Sequence, residues 1–153
     1  MSSFKKQIPE FKKSIDDHLK IILSESDQSS EELSQAMKYS VMNGGKRIRP
    51  MMMLASAVAI DIDTQHVIQF ATAIELLHSF SLIHDDLPCM DDDSLRRGQP
   101  TTHIKFGEAT ATLAADSLQS LAFELMAKAE FPESKSSQLE LISMIANSIG
   151  SAG

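Results

Sequence analysis

Apolar residues recur at spacings of three and four through the first part of the chain. Phe4, Ile8, Phe11, Ile15, Leu19 and Ile22 fall on one side, with Lys, Asp and Glu between them. That period predicts an amphipathic helix. Residues 24–30 are polar and rich in turn formers, which predicts a loop. Ser29 followed three residues later by Glu32 reads as a capping box opening a second helix, with Leu33, Met37 and Val41 on its buried side.

Asn43-Gly44-Gly45 ends that helix. Pro50 suits a first helical position, and a mostly apolar helix follows to about residue 60. Residues 61–64 form a connector with an N-cap. A long helical stretch, FATAIELLHSFSLIH, then runs to about residue 84. Pro88 and Gly98 punctuate an acidic segment, a further long helix is predicted from about residue 101 to 129, and residues 131–134 break it. A last helix begins near Ser136. No segment alternates as a strand does, and no repeat is visible. The expected class is all-α, with residues 1–153 as a single all-α domain. The final stretch, LELISMIANSIGSAG, is helical in pattern and ends without a closing charged turn, so it reads as a chain cut short.

Composition narrows this only a little. Hydrophobic content of 42% with 23% charged residues is that of a folded domain rather than a disordered chain. The single Cys89 excludes an internal disulfide and fits a reducing compartment. The N-terminus is charged where a signal peptide needs an apolar core, and the longest apolar run, MMMLASAVAI, is too short to span a bilayer, so a cytoplasmic protein without a transmembrane segment is expected. A net charge of −7 argues against a general nucleic-acid binder. Lys46, Arg47, Arg49, Arg96 and Arg97 nevertheless gather into two short basic clusters.

The stretch SLIHDDLPCMDDDSLRRGQPTTH, residues 81–103, carries the candidate chemistry. Asp85 and Asp86 fall at the C-terminal end of a helix, where the dipole disfavours negative charge. A compensating cation is therefore expected. Hard divalent ions such as Mg²⁺ take carboxylate oxygens together with substrate phosphates and water. A turn through Leu87-Pro88 lets Asp91 converge with Asp85 and Asp86, while Asp92 and Asp93 are a solvated remainder or a cap. The acids by themselves fit a solvated surface turn equally well. Arg96 and Arg97 make more sense beside them if an anion bridges metal and guanidinium groups, as a diphosphate does.

The second cluster, GGKRIRP at 44–50, joins two helices. Paired glycines let the backbone approach a ligand, and a helix N-terminus adds free N–H donors. Lys46 and Arg49 point the same way if the segment turns helically, with Arg47 facing elsewhere. In isolation this loop also reads as basic, solvated surface. His78 lies two turns before Asp85, a spacing that can place both on one face of the helix; a core histidine with a satisfied hydrogen bond is the other reading.

Taken together, GGKRIRP and LLHSFSLIHDDLPCMDDDSLRRGQPTTH resemble the short-chain trans-isoprenyl diphosphate synthases, most of all the bacterial farnesyl diphosphate synthases, from about Tyr39 to the end of the chain. The resemblance implies an isoprenoid-synthase-type helical bundle of which this chain is about the N-terminal half. It implies that Asp85, Asp86 and Asp91 bind Mg²⁺ and, through it, an allylic diphosphate that Arg96 also contacts. Lys46, Arg49, His78 and Arg97 match the residues that hold isopentenyl diphosphate. Phe80 and Ser81, one helical turn before the aspartates, match positions that set product length; ordinary core packing is the other reading of Phe80. The implied activity is prenyl transfer to farnesyl diphosphate, in a homodimer. Geranyl and geranylgeranyl synthases, or a subunit that binds diphosphate without turnover, are the alternatives. The family's second aspartate-rich motif lies downstream of this chain's last residue.

Overall fold

The computed structural model describes residues 2–25, 30–130 and 134–151, with side chains from residue 7 onward. Among these, seven α-helices account for nearly all regular structure: α1 Ser2–Glu25, α2 Glu31–Met42, α3 Ile48–Ala59, α4 Ile68–Asp85, α5 Thr102–Phe106, α6 Glu108–Lys128 and α7 Lys135–Ile149. The all-α class stands.

The bundle is organised around α4. Its buried residues include Ile68, Phe70, Ala71, Thr72, Ala73, Glu75, Leu76, Leu77, Ser79 and Ile83, so it is apolar nearly all round, as a helix enclosed by others must be. It packs most extensively on α6. There Ala111, Ala114, Ala115 and Ala122 are fully buried, and their small side chains let the two backbones come close. The predicted stripe of α1 also reaches the core, where Phe11, Ile15, Leu19, Ile22 and Leu23 are buried.

Local chemistry moves several predicted boundaries. The second helix is capped by Ser30, whose side chain accepts from the Leu33 amide; Ser29, the predicted cap, lies outside the described residues. Helix α3 begins at Ile48 with Arg47 as N-cap, so Pro50 is its third residue rather than its first. All three positions lie in the first turn, where a missing amide leaves no intrahelical bond unmade. The single helix expected from 101 to 129 is two, because Gly107 takes φ +83° between α5 and α6. Finally, a two-residue antiparallel ribbon pairs Leu95–Arg96 (β1) with Gln99–Pro100 (β2). Arg97 and Gly98 between them both have positive φ, the signature of a tight hairpin turn.

Helix α7 is fastened by one polar side chain. Gln138, 2% exposed, donates from Nε2 to the carbonyls of Met126 (2.6 Å) and Ala129 (3.0 Å), which the end of α6 leaves unpaired. Leu139, Met144 and Ile149 of the same helix stay exposed.

Candidate functional site

Helix α4 ends at Asp85, with Asp86 as its C-cap. The chain then doubles back: the amide of Met90 bonds the Leu87 carbonyl at 2.8 Å and the amide of Asp91 bonds the Asp85 carbonyl at 2.9 Å. Asp85 and Asp91 are thus neighbours in space although six residues apart. Asp86 turns inward and is 3% exposed. Arg96, presented by β1, grips it with Nε at 2.8 and 2.9 Å from its two oxygens and Nη2 at 2.6 Å. That hydrogen bonding, more than the nearby charges of Asp93 and Asp85, holds the Arg96 guanidinium above its usual pKa. The helix-end penalty is therefore met in part by an arginine.

The three acids are not equivalent. Asp86 faces Arg96. Asp85 is half-buried and Asp91 exposed, and no hydrogen bond or ion pair among the described residues engages either carboxylate. Nor do three or more His, Cys, Asp or Glu side chains converge there at metal-ligating distance. Two free carboxylates on adjoining turns are nevertheless a donor set that fits Mg²⁺, which takes one or two protein carboxylates and completes its shell with water and phosphate oxygens.

In the GGKRIRP loop, Gly44, Gly45 and Arg47 all have positive φ, at +77°, +132° and +52°. This path separates the basic residues. Arg47 is driven inside, 4% exposed, while Lys46 and Arg49 remain outside, by this left-handed path and not by the helical turn the spacing suggested. Arg49 Nη1 lies 3.3 Å from Nε2 of His78 on α4. Arg97 reaches across from the hairpin to donate to the Gly44 carbonyl. A Cβ on Gly45 would sit 2.7 Å from Arg97 Nη1, so the glycine makes room for a guanidinium of the same chain. Lys46, Arg49, His78 and Arg97 line one hollow of about 510 Å³, with Arg47 and Glu75 beneath them.

Burial, and secondarily the charge of Arg49, lowers the pKa of His78; Glu75 opposes this, while Arg97 and Arg96 add to it. Its ring is therefore neutral at pH 7, offering one donor and one acceptor.

A second hollow, of about 580 Å³, adjoins the first. Ile74, Leu77, Phe80 and Ser81 of α4 face Met144, Ile145, Ser148 and Ile149 of α7 across it, and Arg49 and His78 line it too. Phe80 also stacks edge-on against His84, ring centroids 4.6 Å apart. Phe80 thus packs on the core and also lines the hollow.

Sequence reasoning missed the acids under the loop. Asp16 of α1 and Glu75 of α4 both bind Arg47, and neither lies near it in sequence. The one available signal is Glu75 itself, a lone acid in the apolar run FATAIELLHSFSLIH. Tyr39 was missed as well; its hydroxyl donates to the Pro100 carbonyl at 2.8 Å and ties α2 to the hairpin.

Known proteins resemble this chain in sequence and in fold. Residues 30–152 match the model of the polyprenyl synthetase family. The chain is 42% identical over its full length to a farnesyl diphosphate synthase of Haemophilus influenzae, covering 52% of that protein. It is 48% identical over 120 residues to the farnesyl diphosphate synthase of Escherichia coli, covering 78% of this chain and 40% of that one. Among solved structures, a geranyltransferase from Legionella pneumophila superposes with a TM-score of 0.94 at 35% identity, over 99% of this chain and 54% of its own. An FPP/GFPP synthase from Zymomonas mobilis gives 0.92 at 37% identity, over 99% and 55%. The chain spans about half the length of the relatives it matches. The sequence motifs, the helical bundle and these comparisons agree, and the chain belongs to the polyprenyl synthetase family.

Proposed function

We propose that the chain is the N-terminal part of a farnesyl diphosphate synthase, which joins isopentenyl diphosphate to dimethylallyl or geranyl diphosphate and releases diphosphate. The observation that carries this reading is a pair of adjoining hollows with a shared wall. One is lined by cations, the other is apolar, and Arg49 and His78 line both. A prenyl diphosphate has that same division into a charged head and a greasy tail.

Each residue then has a task set by its placement. Lys46, Arg49 and Arg97 supply positive charge for the diphosphate of isopentenyl diphosphate, and neutral His78 adds a hydrogen bond without adding charge. Asp85 and Asp91, with Asp86 behind them, would hold Mg²⁺ for the allylic diphosphate. Mg²⁺, when bound, supplies Lewis-acid stabilisation of the departing diphosphate. Arg96, anchored by Asp86, stands beside that leaving group as a fixed cation. The allylic C–O bond breaks, a C–C bond forms to the isopentenyl double bond, and a proton is lost from the new chain. Phe80 and Ser81 limit how far the product extends between α4 and α7. No described helix is long and apolar enough to cross a membrane, and we place the enzyme in the cytoplasm as a homodimer.

The test is incubation of the chain with Mg²⁺, dimethylallyl diphosphate and isopentenyl diphosphate, with products read by mass spectrometry. A fifteen-carbon diphosphate, lost in Asp85→Ala and Asp91→Ala, is the expected result. A ten- or twenty-carbon main product overturns the farnesyl assignment. No product, together with no Mg²⁺-dependent binding of the allylic diphosphate, overturns the reading as a synthase.

A further inference from the structure

Arg47 is the most enclosed cation among the described residues, at 4% exposure. It touches three other helices. Nε donates to Asp16 Oδ1 of α1 at 2.9 Å, Nη1 to Glu75 Oε1 of α4 at 2.8 Å, and Nη2 to the Val41 carbonyl of α2 at 2.9 Å. Its own backbone is the N-cap of α3 and sits at φ +52°, a region that costs a residue with a Cβ free energy unless the surroundings hold it there. No side chain caps that helix. The position thus joins an unfavourable backbone conformation to a guanidinium whose three hydrogen bonds fix it from three directions.

The consequence falls on the neighbours. A left-handed residue between Lys46 and Ile48 sets the direction in which the chain enters α3. Lys46 and Arg49 are left on the outside, flanking the residue that is inside. Glu75 and His78 are three apart on α4, so Arg47–Glu75 and Arg49–His78 form two successive rungs between the loop and that helix. The lower rung is buried and the upper one lies in the charged hollow.

We propose that Arg47 is a positioning residue of the diphosphate site: through Glu75, Asp16 and the Val41 carbonyl it locks the loop so that Lys46 and Arg49 converge with His78 and Arg97 on one anion. It does not itself touch the substrate. The proposal rests on the reading of that hollow as a diphosphate site.

Calorimetric titration of the whole chain with inorganic pyrophosphate, without divalent metal, tests it. Circular dichroism at the same temperature establishes that each variant is folded. Replacing the fully buried pair, Arg47→Met with Glu75→Leu, leaves only Asp16, which reaches solvent, without its partner and keeps the site's volume filled. The expected result is a folded protein that binds pyrophosphate about tenfold or more weakly, the loss of one or more charge-assisted contacts. Its heat of binding should also approach that of Lys46→Ala. Arg47→Lys keeps the charge but not the planar fork, and should fold with an intermediate affinity; it decides the matter if the double variant does not fold. Wild-type affinity in a folded double variant, or in Arg47→Lys, overturns the positioning role and leaves the site intact. Absence of pyrophosphate binding by the wild type, or binding untouched by Lys46→Ala and Arg49→Ala, overturns the site reading and this inference with it.

Discussion

The two basic segments solve one problem in different ways. In each, one arginine is held by a carboxylate while a neighbouring cation faces outward: Arg47 inside with Arg49 outside, Arg96 held with Arg97 outside. They differ in depth. The Arg47–Glu75 pair is 3% exposed on both sides, whereas Arg96 is 30% exposed against a buried Asp86. The first is a structural lock between helices, and the second stays close to solvent where it can meet a ligand. Arginines a few residues apart thus take different parts because of which acid lies behind each.

Breaking the deeper pair should have the largest effect. Glu75→Ala leaves Arg47 buried beside only the partly exposed Asp16, and a loss of about 3–5 kcal/mol of stability is expected from urea unfolding. Asp86→Ala in the shallower pair should cost less, about 1–2 kcal/mol, because solvent reaches the arginine left behind. If the order were reversed, the contrast in depth would be the wrong explanation.

The outward cations should show the opposite profile. Lys46→Ala and Arg49→Ala are expected to change stability by less than about 0.5 kcal/mol. Each should weaken pyrophosphate binding about tenfold and flatten its dependence on salt concentration. A large drop in melting temperature without a loss of affinity would place these side chains in the scaffold instead.

The smallest effect concerns pH. His78 and His18 both have pKa values lowered from 6.5, chiefly by burial. The unfolded chain therefore takes up protons first as pH falls below about 6.5, so the stability these residues contribute is present above that value and is lost as pH falls through their lower folded values. Thermal unfolding between pH 7 and 5 should show this decline, shallower in His78→Gln. A decline of unchanged slope in that variant would remove His78 from the account.

What the sequence made legible follows from what is local. The helix periods, the glycine stop at 44–45 and the carboxylates at the end of α4 depend on residues a turn or two apart, and they stand in the structure. That Lys46 and Arg49 stay outside while Arg47 turns in does not come from the helical turn the spacing suggested, because Arg47 is left-handed and α3 begins only at Ile48. The destination of Arg47 was not legible, because Asp16 and Glu75 lie 31 and 28 residues from it. The break at Gly107 was passed over since the apolar pattern continues on both sides of it. Arg97-Gly98 was missed as a hairpin turn because each paired strand is only two residues long. That Asp86 faces an arginine while Asp85 and Asp91 do not is likewise a fact of packing, since the three are identical in type.

A crystal structure of the chain soaked with isopentenyl diphosphate in the absence of metal tests the shared site of the two hollows most directly. The diphosphate should lie among Lys46, Arg49, His78 and Arg97, with its five-carbon tail directed into the apolar hollow between α4 and α7. A diphosphate bound elsewhere on the chain, with that hollow left empty, would contradict that site.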